Sequence, residues 1–183
     1  MSSRTRRQPA PRGLFDLTRH ALHAVTAACW LGIVSALLLL PTVLARPQWL
    51  LERLDPEVVQ AHGDGPHLLL HFCAGLLAIA VLLGLSLVFL GHLQRFVRSI
   101  RERQPFTRAN VRRLRLMAWL MLAMETLSIL IGLYATWMGP PFAWMEIGGG
   151  MSITGLVAVL MLFVTAHAFA VGAAMREDLD GVV

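Results

Sequence analysis

Residues 68–91 have the sequence LLLHFCAGLLAIAVLLGLSLVFLG. It runs for 24 residues without a lysine, arginine, aspartate or glutamate. A helix that crosses the hydrocarbon core of a bilayer needs about 20 predominantly apolar residues. The stretch therefore predicts a transmembrane helix, and three stretches of similar character lie at 21–44, 116–138 and 153–175.

The composition of the whole chain agrees with four membrane spans. Hydrophobic residues make up 56% of the 183 residues, charged residues make up 15%, and the mean hydropathy is +0.63. A soluble domain carries about 25% charged residues. We therefore predict an all-α fold, a four-helix transmembrane bundle over 21–183, preceded by a basic segment at 1–20. The run at 21–44 exceeds the roughly 7–15 residues of a signal-peptide core, so we interpret it as a retained anchor.

The arginines predict the orientation of the bundle. The chain has sixteen arginines and no lysine. Fourteen of them lie before the first span, between the second and third spans, or after the fourth span. Only Arg46 and Arg53 lie in the connection between the first two spans. Because short arginine-rich segments stay in the cytoplasm, we predict that both the N-terminus and the C-terminus are cytoplasmic.

The connection between the second and third spans is the main candidate for a functional surface. Apolar residues at helical spacing extend the second span into it, and Pro105 ends that helix because proline disfavours helix in the preceding residue. Thr107 is predicted to cap the next helix. The residues of this cytoplasmic basic loop are Arg95, Arg98, Arg101, Arg103, Pro105, Phe106, Arg108, Asn110, Arg112, Arg113 and Arg115.

Three kinds of partner can be weighed for the basic loop. Its arginines orient the chain and would contact the anionic headgroups of the bilayer, where each is worth about 1 kcal/mol. Docking of another protein is the alternative. Direct binding of nucleic acid is disfavoured, because the loop lacks the interleaved aromatic residues on which single-stranded bases stack.

Two polar residues lie inside the predicted spans. Glu125 lies about 15 Å from the inner end of the third span and His167 about 14 Å from Arg176, at 1.5 Å per residue. An ionisable group at such depth is costly and marks a functional hypothesis. We therefore predict an intramembrane pair of Glu125 and His167. It would act either as a structural clasp or as a proton or ion relay, and a relay would make the protein a small transporter or channel.

The histidines offer weak candidates for metal binding. His67 and His71 are one helical turn apart, with His62 in the preceding loop, and this spacing suits zinc or copper. Ordinary interfacial hydrogen bonds are the favoured interpretation. Haem ligation by His20, His23 or His92 is disfavoured, because these residues lie among arginines at headgroup depth. We expect no cofactor. No arrangement typical of a catalytic site is present, so we do not expect an enzyme.

Small residues recur at every fourth position of the first and fourth spans, as in Ala24, Ala28, Gly32 and Ala36, and in Ala166, Ala170 and Ala174. Such stripes let helices approach closely in lipid. We expect them to pack the bundle internally, and a homo-oligomer is the alternative.

Two segments resemble a known family. RERQPFTRANVRRLR, residues 101–115, resembles the inner loop of domain-of-unknown-function family 2975, with matches at Pro105, Phe106, Asn110, Leu114 and Arg115. The C-terminal AHAFAVGAAMREDLDGVV resembles the family ending, with matches at Phe169, Gly172, Arg176, Glu177, Asp178, Asp180 and Val183. Gln104 stands where the family usually has glycine, and Gly181 and Val182 depart from its Leu-Thr.

The resemblance implies a four-span protein of the bacterial cytoplasmic (inner) membrane with no established activity. Members are often encoded beside a small helix-turn-helix regulator, which implies a cytoplasmic protein partner. The predicted function is therefore a membrane tether or signalling partner of such a regulator. The acidic tail, Glu177, Asp178 and Asp180, and the basic loop would be its docking surfaces, or would dock on each other.

Overall fold

The computed structural model describes residues 12–48, 65–102, 106–138 and 152–180. These residues form four long helices: α1 (Arg12–Ala45), α2 (Gly65–Arg101), α3 (Arg108–Met138) and α4 (Ile153–Asp180). Each predicted span lies within one helix, and all four helices are long and apolar enough to cross a membrane. The predicted fold class, an all-α protein with four membrane-spanning helices, is confirmed.

The helices extend beyond the apolar stretches from which they were predicted. α2 continues to Arg101 and α3 begins at Arg108, so the arginines between the second and third spans lie largely on helix. α4 continues to Asp180, which places the acidic tail in its last turns. The 37 residues of α2 span about 55 Å, whereas the hydrocarbon core of a bilayer is about 30 Å thick.

Consecutive helices pack against each other: α1 on α2, α2 on α3, and α3 on α4. The pairs are antiparallel. Gln94, late in α2, donates a hydrogen bond to the hydroxyl of Thr26, early in α1, at 3.3 Å. Asn110, early in α3, donates to the hydroxyl of Ser99, late in α2. Phe106, just before α3, packs on Gly172 near the end of α4, and Trp119 in α3 contacts Phe163 in α4 with ring centroids 5.5 Å apart. The starts of α1 and α3 therefore share one end of the bundle with the ends of α2 and α4, and we call this the arginine-rich end.

The buried seams of α1 and α4 have a seven-residue spacing. Their members are Cys29, Ala36 and Val43 in α1, and Val159, Ala166 and Ala173 in α4. The stripe predicted at every fourth residue is only partly buried, since Ala24 and Ala28 are exposed. Steps of four residues turn steadily around a helix, whereas seven residues make almost two full turns and stay on one face.

Most of the large apolar side chains face outward. Leu31, Trp137 and Ile153 are each at least 75% exposed, and at most 17% of the residues in the most apolar window of any span are buried. In water such a surface would favour aggregation, whereas lipid tails solvate it. The outward-facing apolar surface and the four long helices together describe a multi-pass membrane protein.

The orientation can be tested with single cysteines at exposed positions on opposite ends. In a variant whose Cys29 and Cys73 are replaced by alanine, we expect R46C to react with a membrane-impermeant maleimide in intact cells. E102C should react only after the cells are permeabilised, because arginine-rich segments remain in the cytoplasm. The reverse labelling pattern would show that the predicted topology is inverted.

Candidate functional site

The start of α3 is fixed by a capped turn. The backbone N–H of Asn110 donates to the hydroxyl of Thr107 at 3.4 Å, and the N–H of Val111 donates to the carbonyl of Thr107 at 3.1 Å. A threonine hydroxyl at this position satisfies an N–H group that has no partner within the helix. The predicted helix cap at Thr107 is confirmed, and it aims the side chain of Asn110 back toward α2.

Asn110 links the start of α3 to the end of α2. Its side chain is fully buried, at 0% exposure. The Nδ2 group donates to the hydroxyl of Ser99 at 2.7 Å, and that hydroxyl donates to the carbonyl of Phe96 at 2.7 Å. The Oδ1 atom accepts a hydrogen bond from Nη1 of Arg113 at 2.9 Å. A buried amide with partners on both its atoms fixes the geometry of the two helices it joins.

Aromatic rings attach the same region to α4. Phe169 lies between Phe96, at 5.5 Å between ring centroids, and Phe106, at 5.1 Å. Phe106 also lies directly over Gly172, where an added Cβ would be 2.8 Å from its ring. Because any side chain at position 172 would displace Phe106, glycine is needed there for this contact.

Some of the residues that the two resembling segments share with the family thus meet in space, since Phe106 packs on Phe169 and Gly172. Phe106 and Asn110 come from the loop, whereas Phe169 and Gly172 come from α4. We call the assembled set, Phe96, Ser99, Phe106, Asn110, Phe169 and Gly172, the motif cluster. The sequence indicated four of its members but not Phe96 and Ser99, because neither belongs to the segments that resemble the family.

The arginines around the motif cluster differ in their partners. Arg98 pairs with Glu102 at 3.0 Å on the surface, and Arg113 is held by Asn110. Arg95, Arg112 and Arg115 are exposed, and no described residue forms a hydrogen bond or ion pair with them. Arg108 and Arg176 also interact with other groups.

Some members of the predicted surfaces fall where the structure gives no description. Arg103 and Pro105 lie outside the described residues, as do the side chains of Arg101, Glu177 and Asp180. Asp178 is exposed in the last turns of α4.

The predicted Glu125–His167 pair is not formed. The carboxylate of Glu125 lies against Gly155, where an added Cβ would overlap it. His167 is twelve residues further along α4, or about 18 Å at 1.5 Å per residue, and it is exposed. The prediction measured depth from the ends of the apolar stretches. Because α3 begins at Arg108 and Phe106 packs on Gly172, those ends are not level in the bundle.

The candidate metal ligands are not assembled in the described part of the chain. No group of three or more histidine, cysteine, aspartate or glutamate side chains converges there. His62 and the side chain of His67 lie outside the described residues. His71 forms a hydrogen bond through Nδ1 with the hydroxyl of Tyr134, which ties α2 to α3.

Comparison with models of protein families shows which family this chain belongs to. A family model described as "Protein of unknown function (DUF2975)" matches residues 45–183. The chain belongs to the DUF2975 family. The matched region contains all of α2, α3 and α4, and therefore the whole motif cluster of this DUF2975 protein. Searches of curated proteins and of solved structures found no match.

The hydrogen bond between Asn110 and Ser99 can be tested for its contribution to stability. We expect Asn110→Ala to lower the free energy of unfolding by about 1–3 kcal/mol, because it leaves buried polar partners unsatisfied. Denaturant titration in mixed micelles measures this change. In a double-mutant cycle with Ser99→Ala, the two effects should be less than additive by at least about 0.5 kcal/mol.

Thr126→Ala is the matched control for this cycle. Its hydroxyl donates only to the carbonyl of Leu122 within α3, at 2.8 Å, so its removal should change stability by less than about 0.5 kcal/mol. Strict additivity of Asn110→Ala and Ser99→Ala would contradict the proposed link between α2 and α3.

The contact of Glu125 with Gly155 gives a second testable prediction. Gly155→Ala forces the carboxylate away from α4, and we expect it to lower the free energy of unfolding by about 1–3 kcal/mol. In a Glu125→Ala background the same substitution should cost much less, because the overlapping atoms are gone. Gly84→Ala is the control, since no atom lies within 4 Å of a Cβ at Gly84. An equal cost of Gly155→Ala in both backgrounds would contradict the contact.

Proposed function

We propose that this protein lies in the bacterial cytoplasmic membrane with both termini inside, and that it acts by binding another protein at its arginine-rich end. The proposal assigns it no catalytic step. One observation carries it: the motif cluster holds the start of α3 on the ends of α2 and α4, so that the charged surface around it has a fixed shape. A pre-organised surface loses little conformational entropy when a partner binds.

The composition of this surface also favours a protein partner. Phe106 is 43% exposed although its ring packs on Gly172. Arg112 and Arg115 are exposed in the first turns of α3, and no described residue pairs with them. Aromatic residues and arginine are enriched among the residues that dominate binding energy at protein interfaces. The partner that this surface suits carries an acidic patch beside an apolar pocket.

The resemblance of the two inner segments to their family supports one partner class, a small helix-turn-helix regulator encoded beside the gene. Binding at the membrane would hold such a regulator away from DNA, or would change the conformation in which it meets DNA. Asp178, which is exposed in the last turns of α4, contributes a carboxylate of opposite charge. A transport function through Glu125 and His167 gains no support, because His167 lies about 18 Å along α4 from Gly155, the residue that the Glu125 carboxylate contacts.

The test uses the full chain in mild detergent and a purified helix-turn-helix regulator of the kind encoded beside genes of this family. We expect a complex of the two proteins by native mass spectrometry, with its affinity measured by biolayer interferometry. Reversing two charges with R112E and R115E should weaken binding at least tenfold, because each places an acid opposite the acidic patch. Truncation after Arg176 tests the contribution of the tail in the same assay.

R46E is the matched control, because Arg46 is exposed at the opposite end of the bundle. It should leave the affinity unchanged. Failure of the two proteins to associate, or equal weakening by R46E and by R112E with R115E, would overturn the proposal. If the protein forms a homo-oligomer and binds no regulator, the arginine-rich end would be assigned to self-association instead.

A further inference from the structure

We propose that the arginine-rich end of α2 carries a binding site for one anionic phospholipid, with the phosphate on His92 and Arg95. The site is a cavity of about 330 Å³ lined by Leu87, Val88, Gly91, His92 and Arg95. It is separate from the motif cluster and from the arginines assigned to protein binding. The inference therefore stands on its own observations and does not depend on the proposed partner.

The lining residues change from apolar to polar along the helix axis. Leu87 and Val88 form the apolar part, whereas His92 and Arg95 lie one to two turns closer to the arginine-rich end. A phospholipid has the same order of groups, with acyl chains below a phosphate. The site therefore matches the chemistry of one lipid molecule along its length.

The depth of these residues agrees with that arrangement. If Leu68 is at one boundary of the hydrocarbon core, Val88 lies about 30 Å further along the helix and Arg95 about 40 Å, at 1.5 Å per residue. The hydrocarbon core is about 30 Å thick, and the headgroup regions extend the bilayer to about 40–45 Å. The two headgroup regions share that extra ~10–15 Å, so the one beyond Val88 ends about 35–37 Å from Leu68. Val88 is thus level with the ends of the acyl chains nearest the phosphate, and His92 lies within the headgroup region at about 36 Å. Arg95 lies just outside that region, from where its long side chain reaches back to the phosphate.

The Arg95 guanidinium and the Nδ1 atom of His92 lack partners among the described residues. Arg95 is exposed and pairs with no described residue, whereas its neighbour Arg98 is neutralised by Glu102 at 3.0 Å. Nδ1 of His92 is buried and has no hydrogen-bond partner among the described residues. An orphaned acceptor costs less than an orphaned N–H group, so we assign the proton to Nε2. His92 then offers an N–H donor beside the Arg95 guanidinium, and a phosphate oxygen accepts from both.

Gly91 provides the space for the lipid. No atom lies within 4 Å of a Cβ built at this position, so the backbone forms the floor of an open groove. The built Cβ meets no other atom within 4 Å, so a larger side chain at this position extends into the groove. We therefore expect Gly91→Leu to block the cavity and to leave the packing of α2 on its neighbours intact.

The experiment titrates phosphatidylglycerol into the full chain in detergent and counts bound lipid by native mass spectrometry. We expect one molecule to bind before any others, and phosphatidylcholine to bind more weakly because it has no net negative charge. Arg95→Gln should weaken the first binding step about fivefold, which corresponds to the ~1 kcal/mol that an arginine contributes at an anionic surface. Gly91→Leu should abolish that step.

Two controls separate a defined site from general surface charge. Arg98→Gln removes an arginine one turn away and outside the cavity, and Gly84→Leu adds the same side chain to another open glycine of α2. Both variants should keep the first binding step. Equal weakening by Arg98→Gln and Arg95→Gln, equal binding of the two lipids, or unchanged binding in Gly91→Leu would each overturn the proposal.

Discussion

The structure depends on one constraint, which is that a bilayer offers no water to the backbone. Backbone N–H and C=O groups within the hydrocarbon core have no water to bond, so each span is helical, and α1 stays helical through Pro41. Polar connections and arginines are confined to the two ends of the bundle. The motif cluster can hold a buried asparagine because it lies at such an end, where Ser99 and Arg113 supply its partners.

The same constraint explains what could be predicted from the sequence. Spans of 20 or more apolar residues give the number of helices directly, and a threonine placed before a helical pattern indicates a cap. All four helices and the cap at Thr107 were predicted in this way. The distribution of arginines predicts the topology without any knowledge of packing, because short arginine-rich segments stay in the cytoplasm.

The contacts between helices could not be predicted in the same way. Glu125 and His167 were matched by their distances from the ends of apolar stretches, but the axial offset between α3 and α4 is set by side-chain packing. Phe106 on Gly172 and Trp119 on Phe163 fix that offset, and they bring Gly155 level with Glu125. Neither hydropathy nor periodicity carries this information. The sequence does not indicate Phe96 and Ser99 for a related reason, because the geometry of the packed helices determines which residues these side chains contact.

The link between Asn110 and Ser99 also has a consequence for the order of assembly. These residues are only eleven positions apart, so closing the loop between them costs little entropy. The helical hairpin of α2 and α3 can close as soon as both helices have been synthesised. Phe169 and Gly172 emerge from the ribosome some sixty residues later and find Phe106 already held in place. We therefore expect the hairpin of α2 and α3 to form first and α4 to dock on it.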